Sequence, residues 1–347
     1  MNRPWALLAA LLLAGVCLLV LGACVGSTGL SWAWDSLMGN GDAGLQQIVW
    51  QIRLPRSVAA CSAGALLALA GALAQGLFRN PLADPFLLGS ASGASLGVAV
   101  FLALGAVSFA VGSDPFPTVQ AQGKQLGMHL GLTGAAFLGA LAGVLLSLTL
   151  AGGVQHSLRL LLAGVIVGYV LGACKEMLAM LVPSILPAMQ AFNLGSTGFV
   201  GWGACALMLA VWLACMLAAL VLARVLDALS LGESTAHSLG LPLARLRILL
   251  VLVLALATGT AVAHTGLIAF VGLAAPHAVR AIVKTSHAWL LVLSSLMGAA
   301  LLLAADILAR WVLAPQELPV GVLTAVLGGV YLLVLMHKRR LAEQAAL

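Results

Sequence analysis

Charge is what this 347-residue chain has least of. Its 16 Lys and Arg and 10 Asp and Glu amount to 7% of the residues, against about 25% in an ordinary soluble domain. With 63% hydrophobic residues and a mean hydropathy of +1.14, too little polar surface remains for a water-soluble globule. Intrinsic disorder is excluded as well, because it needs low hydrophobicity and high charge. The net charge is +6, but apart from Lys338-Arg339-Arg340 the basic residues are scattered between apolar runs. They form no stripe that would track a phosphate backbone, so nucleic acid is not an expected partner.

Other chemistry is missing too. The cysteines at Cys17, Cys24, Cys61, Cys174, Cys205 and Cys215 contain no C-x-x-C pair, so neither a metal site nor a disulfide framework is expected. There is no G-x-x-x-x-G-K-S/T phosphate loop and no H-E-x-x-H. No catalytic residue, metal or cofactor is therefore assigned to the chain, and any ATP hydrolysis belongs elsewhere. Gly93-Ala94-Ser95-Leu96-Gly97 fits the G-x-S-x-G nucleophile pattern. That pattern requires a strand-to-helix turn, whereas here it lies in a glycine-rich helical run, so Ser95 is read as a packing residue. His264 and His277 are isolated and are read as capping or packing groups.

What is present is apolar length. A helix needs about 20 apolar residues to cross the hydrocarbon core, and lipid leaves backbone groups no partner outside a helix or closed barrel. The runs are long and lack strict alternation, which selects an all-α polytopic membrane protein. Ten spans are expected, near 5–26, 57–77, 88–110, 126–150, 158–181, 199–225, 246–263, 267–283, 287–306 and 320–337. Two long runs are divided by local signals. Pro183, Pro187 and Asn193-Leu194-Gly195-Ser196 imply a short surface helix before the sixth span, and His264-Thr265-Gly266 separates the seventh from the eighth. Small residues recur at every fourth position over Ala60, Gly64, Ala68, Ala72 and Gly76, and again over Gly89, Gly93 and Gly97. Such faces let helix backbones approach closely.

Ten spans return both termini to one side. With that side cytoplasmic, it holds Arg3, Arg79, Arg159, Arg224, Arg245, Arg247, Arg280, Lys284, Lys338, Arg339 and Arg340. The far side holds Arg53, Arg56, Lys124, Lys175 and Arg310. Eleven against five favours this orientation. Leu21-Gly22-Ala23-Cys24 resembles a lipoprotein signal, but the apolar run continues to Val25 and an uncleaved first span is preferred.

Four segments carry a resemblance. They are Arg53-Leu54-Pro55-Arg56; Arg79-Asn80-Pro81-Leu82-Ala83-Asp84-Pro85 with the glycines after it; the polar island Leu231-Gly232-Glu233-Ser234-Thr235-Ala236-His237-Ser238-Leu239-Gly240; and Phe270-Val271-Gly272-Leu273, Pro276-His277 and Arg280 followed by Asp306, Arg310 and Glu317-Leu318-Pro319-Val320-Gly321. In order and spacing, over residues 50–337, the chain resembles the FecCD family of ABC-importer permeases for iron-siderophores, haem and cobalamin. It departs where Gly328-Gly329-Val330-Tyr331 stands in place of the family's usual Gly-Ala-Pro-Phe.

The resemblance implies one transmembrane permease domain over 1–347 in the inner membrane, acting as a homodimer. Two copies of a separate ATPase, carrying ATP and Mg, would dock from the cytoplasm, and a periplasmic binding protein would deliver the cargo. Segment 227–243 would be the coupling segment, with Gly232, Glu233, Ser234, Thr235, Ala236, Leu239 and Gly240 meeting the ATPase. Ser230 and Glu233 also fit a capping box there. Arg53, Arg56 and Arg310 would dock acidic residues of the binding protein, with Glu317 orienting Arg310. Guanidinium groups suit that task because they grip carboxylates with paired hydrogen bonds. The turn ending in Ser157 and Leu158 would be the cytoplasmic gate. The competing reading, an ion-coupled transporter working without an ATPase, needs charges within the spans, and the expected spans are almost free of them.

Overall fold

A computed structural model describes residues 3–26, 29–30, 43–110, 121–153, 157–238 and 242–344. Helix α1 is Arg3–Cys24, followed by a two-residue hairpin of β1 (Val25–Gly26) and β2 (Gly29–Leu30). Helix α2 covers Ala43–Phe78 and includes a π-helical turn at Val49–Arg53. Then come α3 (Ser90–Ala110), α4 (Ala121–Leu150), α5 (Ser157–Leu181) and the short α6 (Leu186–Leu194). The chain continues through α7 (Trp202–Ser230), α8 (Glu233–Ser238), α9 (Leu243–Thr265), α10 (Val271–Ile282), α11 (His287–Trp311) and α12 (Val320–Gln344).

Seven of these helices are long and apolar enough to cross a membrane, namely α1, α2, α4, α5, α7, α9 and α11. Helices α3 and α12 carry shorter apolar stretches, and α10 has only 12 residues. Together these ten helices coincide with the ten expected spans. Two elements lie outside that list. The second helix begins at Ala43, well before residue 57, because the charges at Arg53 and Arg56 are accommodated inside the helix. Pro242 stands directly before the long α9.

Helix α2 is the axis of the fold. It packs on α11, α9, α7 and α10, and its residues from Ala59 to Ala74 are buried almost without exception. The close crossings depend on glycine. A Cβ at Gly64 would overlap the carbonyl of Gly298 on α11, and one at Gly71 would overlap the carbonyl of Gly272 on α10. Helix α3 meets α4 in the same manner, Gly93 against Gly139 and Gly97 against Ala135. In lipid, where apolar side chains gain little by leaving their surroundings, such backbone contact is what holds helices together. Ser95 faces this interior too, with its hydroxyl 3.2 Å from Asn193 Oδ1, which agrees with a packing role.

Breaks occur where the punctuation stands. Helix α9 ends at Thr265, Gly266 takes φ +69°, and Phe270 at φ +70° precedes α10. The α6 end docks on that break, with Ser196 N donating to Thr265 O at 2.8 Å and Leu267 N to Phe192 O at 3.1 Å. At the loop after α2, Arg79 adopts a left-handed cap and Asn80 Oδ1 accepts Leu82 N at 2.9 Å. Asp84 Oδ1 then accepts Phe86 N at 2.8 Å, opening the 3-10 turn Pro85–Leu88. These side chains shape helix ends.

Candidate functional site

The first site begins with the π turn at Val49–Arg53. Five-residue spacing inserts one extra residue into the helix, and the turn ends at Arg53 just ahead of Pro55 and Arg56. Both guanidinium groups are buried, at 5% and 7% exposure, and Arg310 on α11 is at 1%. The three arginines read from the sequence as far-side charges are thus brought to one end of the bundle, but beneath its surface.

Asp306 is what holds them there. Its carboxylate is fully buried and accepts three hydrogen bonds, one from each of three partners. Arg56 Nε donates to Oδ1 at 3.0 Å, Thr197 Oγ1 donates to the same oxygen at 2.6 Å, and Arg310 Nη2 donates to Oδ2 at 2.5 Å. Arg56 also donates from Nη1 to Glu317 Oε2 at 2.6 Å, and the Glu317 side chain remains 37% exposed. Glu317 therefore pairs with Arg56, whereas the sequence suggested Arg310.

Further donors go to the backbone at the end of α1. Arg310 Nη1 reaches Gly22 O at 3.0 Å and Val25 O at 3.2 Å, and Arg53 Nη1 reaches Ala23 O at 3.3 Å and Cys24 O at 3.1 Å. Ser57 links the two arginines, donating to Arg53 O at 2.9 Å and accepting from Arg310 Nη2 at 3.1 Å. The stretch that looked like a lipoprotein signal is here a row of carbonyl acceptors. Burying a guanidinium is costly unless its donors are filled, and the loose C-terminal carbonyls of α1 fill them.

Five ionisable groups meet in this cluster, the cations Arg53, Arg56 and Arg310 and the acids Asp306 and Glu317. Sequence reasoning missed Asp306, Thr197 and Ser57 as its members. Asp306 was detectable, since it lies four residues before Arg310 on one helix face, the spacing of an i,i+4 ion pair. Thr197 and Ser57 carried no such signal.

The opposite end holds the polar island. Helix α8 is short, begins at Glu233 after Gly232 at φ +111°, and rests on α7. Ala236 is fully buried while Thr235 and Ser238 are exposed, and Ala236 N donates to Gly232 O at 3.0 Å. Ser230 does not cap this helix. It is the last residue of α7 and donates its hydroxyl to Asp227 O at 2.6 Å. Leu239 and Gly240 lie outside the described residues, as do the side chains of Glu233 and Ser234. Asp227, one turn before the end of α7, joins the island to α11. Its Oδ1 accepts His287 N at 3.1 Å and lies 2.6 Å from His287 Nδ1. Ser157 starts α5 and its side chain lies outside the described residues, while Leu158 is 81% exposed. His277 Nδ1 lies 2.6 Å from Tyr331 OH, so this histidine is tied between α10 and α12.

A profile of the FecCD transport family matches residues 10–338. The chain belongs to the FecCD transport family. Among its relatives, the hemin transport system permease protein HmuU of Yersinia pestis is 37% identical over 342 residues, 97% of each chain. The vitamin B12 import system permease protein BtuC of Shigella boydii serotype 18 is also 37% identical, over 93% of this chain and 92% of that one. A solved metal-chelate type ABC transporter in an inward-facing conformation superposes with a TM-score of 0.82 at 30% identity, covering 96% of this chain and 99% of its own. A chain of the PsaBC complex from Streptococcus pneumoniae, at 20% identity and a TM-score of 0.53, shares the fold. As a FecCD member, this chain is a multi-pass membrane permease of the ABC-importer type.

Proposed function

We propose that this permease moves an iron chelate, haem or cobalamin from periplasm to cytoplasm by alternating access. The observation that carries the reading is the full-length likeness to permeases named for hemin and vitamin B12. The chain works as one transmembrane domain in the inner membrane, as a homodimer, with both termini cytoplasmic. ATP and Mg are bound and used by two partner ATPase subunits.

The buried arginine cluster is the docking end for a periplasmic binding protein. The Arg56–Glu317 pair supports this, because the Glu317 side chain reaches the surface. Arg53 on α2 and Arg310 on α11 hold the end of α1 in register, and Arg56 with Glu317 offers the charged pair nearest the surface. The segment around α8, with Gly232, Glu233, Ser234, Thr235, Ala236, Leu239 and Gly240, couples to the ATPase, and Ser157 with Leu158 forms the cytoplasmic gate. Helix α11 links the two ends, since His287 meets Asp227 beside the island and Asp306 meets Arg56 beside the docking face, with roughly 28 Å of helix between them.

The test is uptake by the chain reconstituted with its ATPase and binding protein, assayed with haem, cobalamin and a ferric siderophore. One cargo class should stimulate ATP hydrolysis and accumulate in the lumen. Accumulation by the permease alone under a proton or sodium gradient would overturn the proposal.

A further inference from the structure

A groove at the end of the bundle shared with Asp227 and His287 has no part in the reading above. It is a cavity of about 710 Å³ lined by Arg3, Pro4, Arg280, Ala281, Ile282, Val283 and Lys284. The first turns of α1 form one wall, and the end of α10 with its exit toward α11 forms the other. Leu7, Leu8 and Leu11 of α1 hold these walls together by packing on Val279, Val283, Leu290 and Leu293.

Three cations and, among the described residues, no carboxylate line it. Arg280 donates to Gln75 Oε1 on α2, and Gln75 Nε2 donates to Leu273 O at 3.2 Å. That neutral amide fixes the guanidinium without cancelling its charge. Among the described residues, none of Arg3, Arg280 and Lys284 forms an ion pair. Beside the groove, the rings of Trp5 and Trp289 meet edge to face at 4.8 Å, and Trp5 is 63% exposed. Tryptophan concentrates at the headgroup level of a bilayer, so the ring pair marks the depth of the groove. Apolar α1 and α11 surfaces continue from it toward the hydrocarbon core.

We propose that this groove binds the phosphodiester headgroup of an anionic lipid, with its acyl chains running along α1 and α11. A basic pocket between transmembrane helices at headgroup level has the charge and geometry for such a ligand. The excess of fixed positive charge selects an anionic over a zwitterionic headgroup, and the adjoining apolar faces select a lipid over a free anion. The leaflet is the cytoplasmic one if the orientation proposed above holds. The binding itself needs only that the chain spans a membrane, so it stands or falls apart from the transport reading.

The test is native mass spectrometry of the full chain released from vesicles of equal phosphatidylglycerol and phosphatidylcholine. Wild type should retain phosphatidylglycerol in preference, and the Arg3→Gln/Lys284→Gln double variant should lose about thirtyfold of that preference, since each of the two surface cations contributes on the order of 1 kcal/mol to anionic-lipid attraction. Both substitutions sit at the protein surface and leave the Arg280–Gln75 contact in place, and an unchanged melting temperature checks that the variant folds. Millimolar inorganic phosphate should leave the retained lipid in place. Equal retention of the two lipids, or a preference that survives the double substitution, overturns the proposal. Full displacement by inorganic phosphate assigns the groove to a soluble anion and overturns it too. So does loss of ATPase-subunit binding by the variant in phosphatidylcholine-only nanodiscs, which would make the groove a protein interface.

Discussion

Arg56 and Asp306 stand 250 residues apart in the chain and share a hydrogen bond of 3.0 Å, on an acid with no exposed surface. The contact ties α2 to α11 at the end where the chain after α1 also converges. Removing one partner of a buried pair leaves an uncompensated charge and costs about 3–5 kcal/mol. Asp306→Ala should therefore lower thermal stability in detergent sharply, whereas Asp306→Asn, which keeps acceptors for Thr197 and Arg56, should lose less. Equal melting temperatures for both variants and wild type would show that the cluster contributes little.

Glu317 occupies a donor of Arg56 that a docking carboxylate would otherwise claim. Its side chain is 37% exposed, and an ion pair of that exposure is worth about 0–1 kcal/mol. Glu317→Gln should thus tighten binding-protein affinity by up to about fivefold, with the gain shrinking as salt rises. Weaker docking in the variant would mean that Glu317 orients Arg56 for the partner instead.

Ala236 N makes the hydrogen bond that closes the first turn of α8. Proline removes that donor at a cost of about 3 kcal/mol in a helix interior. Ala236→Pro should insert in the membrane at normal yield and lose ATPase-subunit binding, measured by co-purification and uptake. Wild-type uptake would remove α8 from the coupling role.

Glycine positions should divide cleanly. Gly64→Ala and Gly71→Ala place a methyl group against backbone of α11 and α10, and overpacking of this kind costs about 1–3 kcal/mol. A Cβ at Gly105 meets nothing within 4 Å, so Gly105→Ala should be neutral or slightly stabilising. Unfolding in mixed detergent reads the difference.

Asp84 lies in the loop after α2, where burial pushes its carboxyl up to about 6 and the hydrogen bond from Phe86 N opposes the shift. The folded protein then holds a proton that the unfolded chain, near pKa 4, releases first. Stability contributed by this group should be fullest below about pH 4 and should fall as pH rises through 6. Asp84→Asn retains an acceptor for Phe86 N and should flatten that part of the melting temperature profile between pH 4 and 7.

Much of the fold was readable because lipid imposes long apolar runs and glycine marks the close crossings. The split at His264-Thr265-Gly266 and the short helix after Pro183 both appear, each announced by residues that break helices. The start of α2 at Ala43 was hidden, since its polar stretch reads as loop until a fold supplies partners for Arg53 and Arg56. Ser230 and Glu233 show a limit of spacing alone. The S-x-x-E pattern fits a cap, yet α7 continues through Ser230 and Gly232 supplies the turn. The burial of the arginines was equally invisible, because the carbonyls that satisfy them come from the end of α1 and carry no side-chain signature.

The glycine crossings also decide which parts of the molecule can move. Where two backbones touch, no side chain is left to change rotamer, and sliding one helix along the other drives carbonyls into each other. Helices α2, α10 and α11 are therefore locked to one another, gripped at Gly64–Gly298 and Gly71–Gly272. The break before α10 is held in the same way, since a Cβ at Gly266 would overlap the carbonyl of Phe192 at the end of α6. The residues with least bulk are the ones that keep the centre still.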